Sequence, residues 1–154
     1  MSPTDTLTWR CLPFDALHAR TLYRLLQLRT EVFVMEQNCA FQDMDGADPA
    51  CFHLLGESRD GALLGYARLV PAGLKFPELS IGRVISAQAA RGTGIGHVLM
   101  HEAVRTTHAL WGVQPIRIGA QARLQAFYRQ HGFEPASDIY LEDGIDHVEM
   151  LRAA

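Results

Sequence analysis

The residues best suited to chemistry in this chain are a glycine run behind an arginine, Arg91-Gly92-Thr93-Gly94-Ile95-Gly96. The run stands between a strand-like segment (79–86) and a segment where Ile95, Leu99 and Ala103 recur every four residues, as in a helix. The first turn of a helix leaves backbone N–H groups unpaired and carries the positive end of the macrodipole. Glycines let that backbone approach an anion closely. With Arg91 adding a full charge, the pattern reads as a phosphate or diphosphate cradle. The competing reading is a tight turn without a ligand, and the strand–helix context together with Arg91 weighs against it. A Walker loop needs Lys and Ser/Thr after the last glycine, where His97 and Val98 stand. A dinucleotide fingerprint needs G-x-G-x-x-G near the first strand and an acidic residue further on. Here the spacing is G-x-G-x-G and the turn lies mid-chain, so neither reading fits.

Other groups with chemical potential do less well. His97 and His101 are four apart on the helix, but the metalloprotease pattern needs Glu directly after the first His, and Val98 is there. No metal is expected. Asp43-Met44-Asp45-Gly46 resembles part of a calcium loop, but with Gly46 at loop position 6 the first and last ligand positions fall on Phe41 and Phe52. Cys11, Cys39 and Cys51 are odd in number and lack C-x-x-C spacing, which suits reduced thiols in the cytoplasm. Tyr128 shares a helical face with Leu124 and Phe127, where a core aromatic is the plain reading.

The elements that must position these residues follow from periodicity. A first strand is expected over 6–12 and a helix from Asp15 to about Val34, with Leu17, Thr21, Leu25, Leu28 and Val32 as its apolar stripe. Residues 36–50 form a polar loop or broken helix. Two strands, 51–58 and 62–70, are joined through Asp60-Gly61, a hairpin signal. A strand over 79–86 follows, with a bend or bulge at Gly82. Next come the helix from 95 to about 109, a strand over 115–119 and a helix from 121 to 131 closed by Gly132. Two last strands, 133–141 and 146–152, meet at Glu142-Asp143-Gly144. The pattern is a mixed α/β sheet with antiparallel hairpins around one strand–helix–strand unit.

With 154 residues the chain suits one domain over 1–154. Lys and Arg number 14 against 17 Asp and Glu, a net charge of −3 that argues against a nucleic-acid partner. No apolar run approaches the ~20 residues of a membrane span, and the first ten residues lack the charge and apolar core of a signal peptide.

The surviving pattern, R-x-x-G-x-G, resembles the acyl-CoA pyrophosphate loop of the GNAT N-acetyltransferases. A second match lies in residues 121–133, which resemble that family's N-x-x-A-x-x-L-Y-x-x-x-G-F helix at Tyr128, Gly132 and Phe133, with Gln121, Leu124 and Phe127 replacing Asn, Ala and Leu. LQLRTEVFVMEQNCAFQDMDGAD, HLLG, IGRV, GAQARLQAFY and EDGIDHVEM extend the likeness to nearly the whole chain and point to the ElaA-like subgroup.

The resemblance implies a GNAT acyl-CoA N-acyltransferase fold, with a central, mostly antiparallel sheet of six to seven strands and about four helices. It implies that the strands near 79–86 and 115–121 splay apart around acetyl-CoA. The pantetheine arm would bond backbone near Val84, Ile85 and Ser86, and the pyrophosphate would sit on Arg91, Gly92, Thr93, Gly94, Ile95 and Gly96. Gln121, Phe127 and Tyr128 would complete the cofactor side.

The reaction implied is direct acyl transfer to the amine of a small molecule or peptide, with Tyr128 as general acid to the departing thiolate. Glu36 is the first candidate for base or acceptor contact. Gln37, Asp43, Asp45, His53 and Arg83 are further acceptor candidates, with Arg83 equally able to pair with a loop acid across the sheet, and Glu142 is another candidate base. His53 begins an apolar strand, where a structural histidine is commoner. The acidic residues Asp43, Asp45 and Asp48 would draw a cationic amine; a solvated polar loop is the plainer alternative. Dimers are common in the family, so the resemblance leaves a homodimer open. A CoA-binding sensor without turnover is the alternative function.

Overall fold

The computed structural model describes residues 7–154. Thr6, where the first strand was expected to start, lies outside them. Strands β1 (Thr8–Pro13), β2 (Phe52–Glu57), β3 (Leu63–Val70) and β4 (Ser80–Ser86) form one antiparallel sheet in sequence order. Helix α1 (Ala19–Arg29) lies between β1 and β2, and α2 (Ile95–Trp111) follows β4. Strands β5 (Ile116–Gln121), β6 (Phe133–Pro135), β7 (Tyr140–Glu142) and β8 (Ile145–Arg152) form a second sheet, with α3 (Gln125–Arg129) between β5 and β6.

Strand alternation explains why both faces of the first sheet are covered. Leu54, Ala67, Leu69 and Ile81 pack with Leu99, Met100 and Ala103 of α2. Leu55, Tyr66 and Ile85 turn the other way and bury Leu25 and Leu28 of α1. The second sheet adds Ile116, Ile118, Ala120, Val148 and Met150 to the α2 core. Among the described residues, no helix is long and apolar enough to cross a membrane.

The expected elements appear with four instructive differences. Asp15 sits in a 3-10 turn, and the first helix begins only at Ala19; past Arg29 it continues as a π-helix, Thr30–Glu36. The bulge lies one step beyond Gly82: Tyr66 pairs with Ile85 and Arg68 with Gly82, so Arg83 and Val84 together face Ala67, and Arg83 takes φ 51°. The helix expected over 121–131 is shorter, because Gln121 is held in β5 opposite His147 and a 3-10 turn, Ala122–Leu124, intervenes. Gly132 closes it in the left-handed conformation, as expected.

The last difference concerns the strand expected over 133–141. It splits where the Ser137 hydroxyl accepts the Glu149 N–H at 2.9 Å in place of backbone, before β7 rejoins β8. Among the described residues, eight strands and three α-helices therefore replace the expected six to seven and about four.

Candidate functional site

The two sheets touch at one point and then part. Leu79 bridges Ile116 in parallel, Arg117 N–H donates to Leu79 O at 2.9 Å, and beyond that, among the described residues, β4 pairs only with β3 and β5 only with β8. The splay expected of these strands is present. It opens a cleft of about 780 Å³ lined by Val84, Arg83, Gln121, Leu124 and Tyr128, by Gln37, Phe41 and Asp45 of the loop after α1, and by Tyr140, Glu142 and His147 of the terminal hairpin.

The edge of β4 along the gap has free backbone. Ala87 N–H donates to Leu64 O at 2.8 Å, so by the two-residue period Ile85 pairs with β3, while Ser86 and Val84 turn their N–H and C=O outward. Ile85 is thus a correction to the expected pantetheine contacts, since its backbone is paired and its side chain is buried under α1. The outward Ser86 carbonyl accepts from Arg91 Nε at 3.3 Å.

The glycine run has the geometry its sequence suggested. Gly94 is the N-cap residue of α2 with φ 81°, and no side chain caps the helix. Ile95 and Gly96 N–H have no acceptor among the described residues. A Cβ at Gly92 or Gly94 would meet nothing within 4 Å, so the surface above the helix end is open to a ligand. The Thr93 hydroxyl turns inward to Ala90 O. Gly96 abuts Phe127, 3.5 Å from the position of a Cβ, which joins the run to α3 and the cleft. These features fit a diphosphate.

Tyr128 lines the cleft, buried between the rings of Phe127 and Phe133. Among the described residues its hydroxyl has no hydrogen-bond partner. Burial pushes its phenol up to about 12, so it is protonated at neutral pH.

The expected acceptor residues divide. Gln37 lines the cleft and accepts from Gln121 Nε2 at 3.2 Å across it. Glu36 does not line it; both of its carboxylate oxygens pair with Arg91, the second 2.8 Å from Nη2. The candidate base therefore sits on the cradle's own cation. His53 is fully buried away from the cleft. Its Nε2 donates to Asp48 O at 3.0 Å and its Nδ1 accepts from Tyr66 Oη at 2.7 Å, which makes it a structural histidine. Burial holds its pKa below the usual value.

The acidic loop is also a correction, because its charge is already spent. Asp43 pairs with Arg29 at 2.9 Å and Arg83 at 2.8 Å. Asp45 pairs with Arg68 at 2.8 Å and Lys75 at 2.9 Å, and Asp48 with Arg29 at 2.7 Å and Arg68 at 3.1 Å. Cations outnumber carboxylates in this cluster, so it cannot draw a cationic amine. Arg83 lines the cleft, but its guanidinium is held by Asp43 and lies over the Phe41 ring. The function of the cluster is to tie an irregular loop to β3 and β4.

Sequence reasoning missed Tyr140 and His147. The signal was in the turn: Asp143 and Gly144 both take positive φ, the two-residue hairpin geometry, which sets Tyr140 opposite His147. Cys11 and Cys51 are thiols that burial pushes up to about 11, which leaves them unreactive. Among the described residues no group of three or more His, Cys, Asp or Glu is placed to hold a metal.

Two splayed sheets with an uncapped, glycine-flanked helix start beside the gap form the architecture that comparison with known proteins assigns to an acyltransferase family. Residues 26–153 match the family described as acetyltransferase (GNAT) domain. The chain is 43% identical over 148 residues to Protein ElaA of Escherichia coli, spanning 95% of this chain and 96% of that one. Among solved structures, an acyl-CoA N-acyltransferase from Pseudomonas aeruginosa superposes with TM-score 0.88 at 45% identity, covering 95% of this chain and 99% of the other. The crystal structure of Escherichia coli ElaA superposes with TM-score 0.88 at 42% identity, covering 96% and 99%. The chain belongs to the GNAT acetyltransferase family.

Proposed function

We propose that this protein transfers an acyl group, acetyl in the first instance, from acyl-CoA to a primary amine of a small molecule or peptide by direct attack within a ternary complex. The observation that carries the reading is the succession of three parts along β4, from the gap lined by Val84 and Tyr128 to the start of α2, where a Cβ at Gly96 would lie 3.7 Å from Ser86 Oγ. The parts are the uncapped start of α2 beside Arg91, the open edge of β4 at Val84 and Ser86, and the unpartnered Tyr128 hydroxyl. Arg91 would exchange Glu36 for a phosphate of the diphosphate, joined by the Ile95 and Gly96 N–H groups. The outward backbone of Val84 and Ser86 would align the pantetheine arm, and the Val84 N–H would donate to the oxyanion. Tyr128, kept protonated by burial, would supply the proton to the departing sulfur. The acceptor would enter past Gln37 and the terminal hairpin, where the exposed Glu142 offers a carboxylate to an amine. A need for acyl-CoA, together with free thiols, favours the cytoplasm.

Acetyl-CoA is expected to raise the melting temperature, and a panel of polyamines, amino acids, aminoglycosides and peptide amines to release free thiol from it. Tyr128→Phe should lower thiol release by about 10²–10⁴-fold with the CoA-induced melting shift intact. Unchanged turnover in the folded variant removes the acid role. Absence of any CoA-induced shift in the wild type overturns the reading.

A further inference from the structure

Among the ionisable side chains of the cleft that have no part in the scheme above is a histidine, His147. His147 lies on β8, opposite Gln121 of β5 on one edge and Tyr140 of β7 on the other. The odd-numbered residues of β8 alternate away from the core, so His147, Glu149 and Ile145 face the cleft while Val148 and Met150 face α2.

Its ring is held in one tautomer. Nδ1 stands 2.7 Å from Ile145 O, and a carbonyl only accepts, so Nδ1 carries the hydrogen and Nε2 of the neutral ring carries a lone pair. Nε2 points to Glu142 Oε2 at 3.5 Å, where the exposed carboxylate can receive the charge of an imidazolium. The residue is only 9% exposed and its ring stacks on Tyr140, centroids 6.0 Å apart. Tyr140 in turn reaches across β8 to Gly119, where a Cβ would come within 3.3 Å of its hydroxyl; glycine there makes room for the ring that clamps His147.

The charged or titratable groups around it among the described residues are Glu142 and Tyr140 on β7 and Glu149 on β8, the last paired with Arg117 of β5 at 3.2 Å. Of the carboxylates that could take a proton here, Asp43 and Asp45 are spent on basic side chains, Glu36 on Arg91, and Glu142 faces His147 Nε2 itself.

We propose that His147 Nε2 is the base that takes the proton from the acceptor nitrogen, an inference that rests on the acyl-transfer reading above. As the neutral amine attacks, a C–N bond forms at the thioester carbonyl and the nitrogen becomes positive. His147 takes that proton and becomes an imidazolium facing Glu142. Collapse of the tetrahedral species breaks the C–S bond, and the thiolate takes its proton from Tyr128. The products are an amide and free CoA thiol, and the proton held on His147 returns to Tyr128 directly or through solvent.

The test is His147→Asn, whose amide N–H can still donate to Ile145 O but which has no basic nitrogen. Thiol release from acetyl-CoA with the panel of amines named above is followed from about pH 5.5 to 9, beside CoA binding by calorimetry. The expected result is a loss of about 100-fold or more in kcat with CoA affinity unchanged, and loss of the acid limb of the wild-type pH profile. Added imidazole should restore part of the rate to His147→Ala, a readout that separates a lost base from a disturbed hairpin. An active wild type with His147→Asn within threefold of it and the same pH profile overturns the proposal and leaves the acyl-transfer reading standing. A wild type that binds no CoA and releases no thiol overturns that reading, and the role of His147 falls with it.

Discussion

Replacing Asp48 by asparagine keeps the size of the side chain but removes the charge that two buried guanidinium groups share. Asp48 Oδ1 lies 2.7 Å from Arg29 Nη1 and 3.1 Å from Arg68 Nη1. The exposures of Arg29, Arg68 and Asp48 are 0%, 3% and 6%. Breaking a buried pair by removing one partner costs about 3–5 kcal/mol, because the remaining charge has neither solvent nor counter-ion. Arg29 keeps Asp43 and Arg68 keeps Asp45, which places the expected loss near the lower end, about 3 kcal/mol. Each kcal/mol moves the melting temperature of a domain this size by roughly 2–4 °C, so Asp48→Asn should melt about 6–12 °C lower.

Thermal denaturation followed by circular dichroism measures this directly. Buried pairs are weakly screened, so the deficit should persist in about 0.5 M salt. A drop of under about 2 °C, or one that salt abolishes, would show the cluster to behave like exposed ion pairs. The charge network would then not be what holds the loop against the sheet. Because Gln37, Phe41 and Gln42 of that loop line the cleft, the same variant should also weaken acyl transfer.

Two further outcomes follow from the remaining charges. Glu36→Gln frees Arg91 from a half-exposed pair and should tighten CoA binding by about two- to fivefold in calorimetry, since such pairs are worth a fraction of a kcal/mol to about 1 kcal/mol; weaker binding would mean that Glu36 orients the arginine rather than competing for it. Stability should also fall with acid in two stages. His53 has a folded pKa below its usual ~6.5, so the unfolded chain takes a proton first and the melting temperature should start to fall once the pH drops below about 6.5. Asp45 and Asp48 are held below the usual carboxylate range by their arginine partners. Their contribution is present above about pH 4 and is lost as pH falls through their lower folded values, so a steeper fall is expected there. A melting temperature flat from pH 7 to about 4.5 would contradict the buried, neutral state of His53.

Local pattern was enough to locate the glycine-flanked start of α2, the hairpins and both long helices, because each rests on information carried within a few residues. Glycines flank a helix start, Asp-Gly sits between alternating strands, and apolar residues recur at helical spacing. Tyr128 stood out only through the resemblance of its Tyr-x-x-x-Gly-Phe context, since by periodicity alone it reads as a core aromatic. The acceptor side was not legible in the same way. Asp43, Asp45 and Asp48 read as a free anionic loop, since nothing local tells that Arg29, Arg68, Lys75 and Arg83, far apart in sequence, converge on them. Glu36 read as a base or acceptor contact, and the fold set it against Arg91, whereas the plainer reading of His53 as a structural histidine holds, with Tyr66 and the Asp48 carbonyl closed around it. His147 gained its place only when β8 paired with β5 and β7 together, and its tautomer only from the Ile145 carbonyl. The sequence by itself determined which elements form and where a glycine-flanked helix start stands. The tertiary structure decided which charges are spent and which remain free to react, because ion pairing and desolvation depend on distances between residues that only the packed fold brings together.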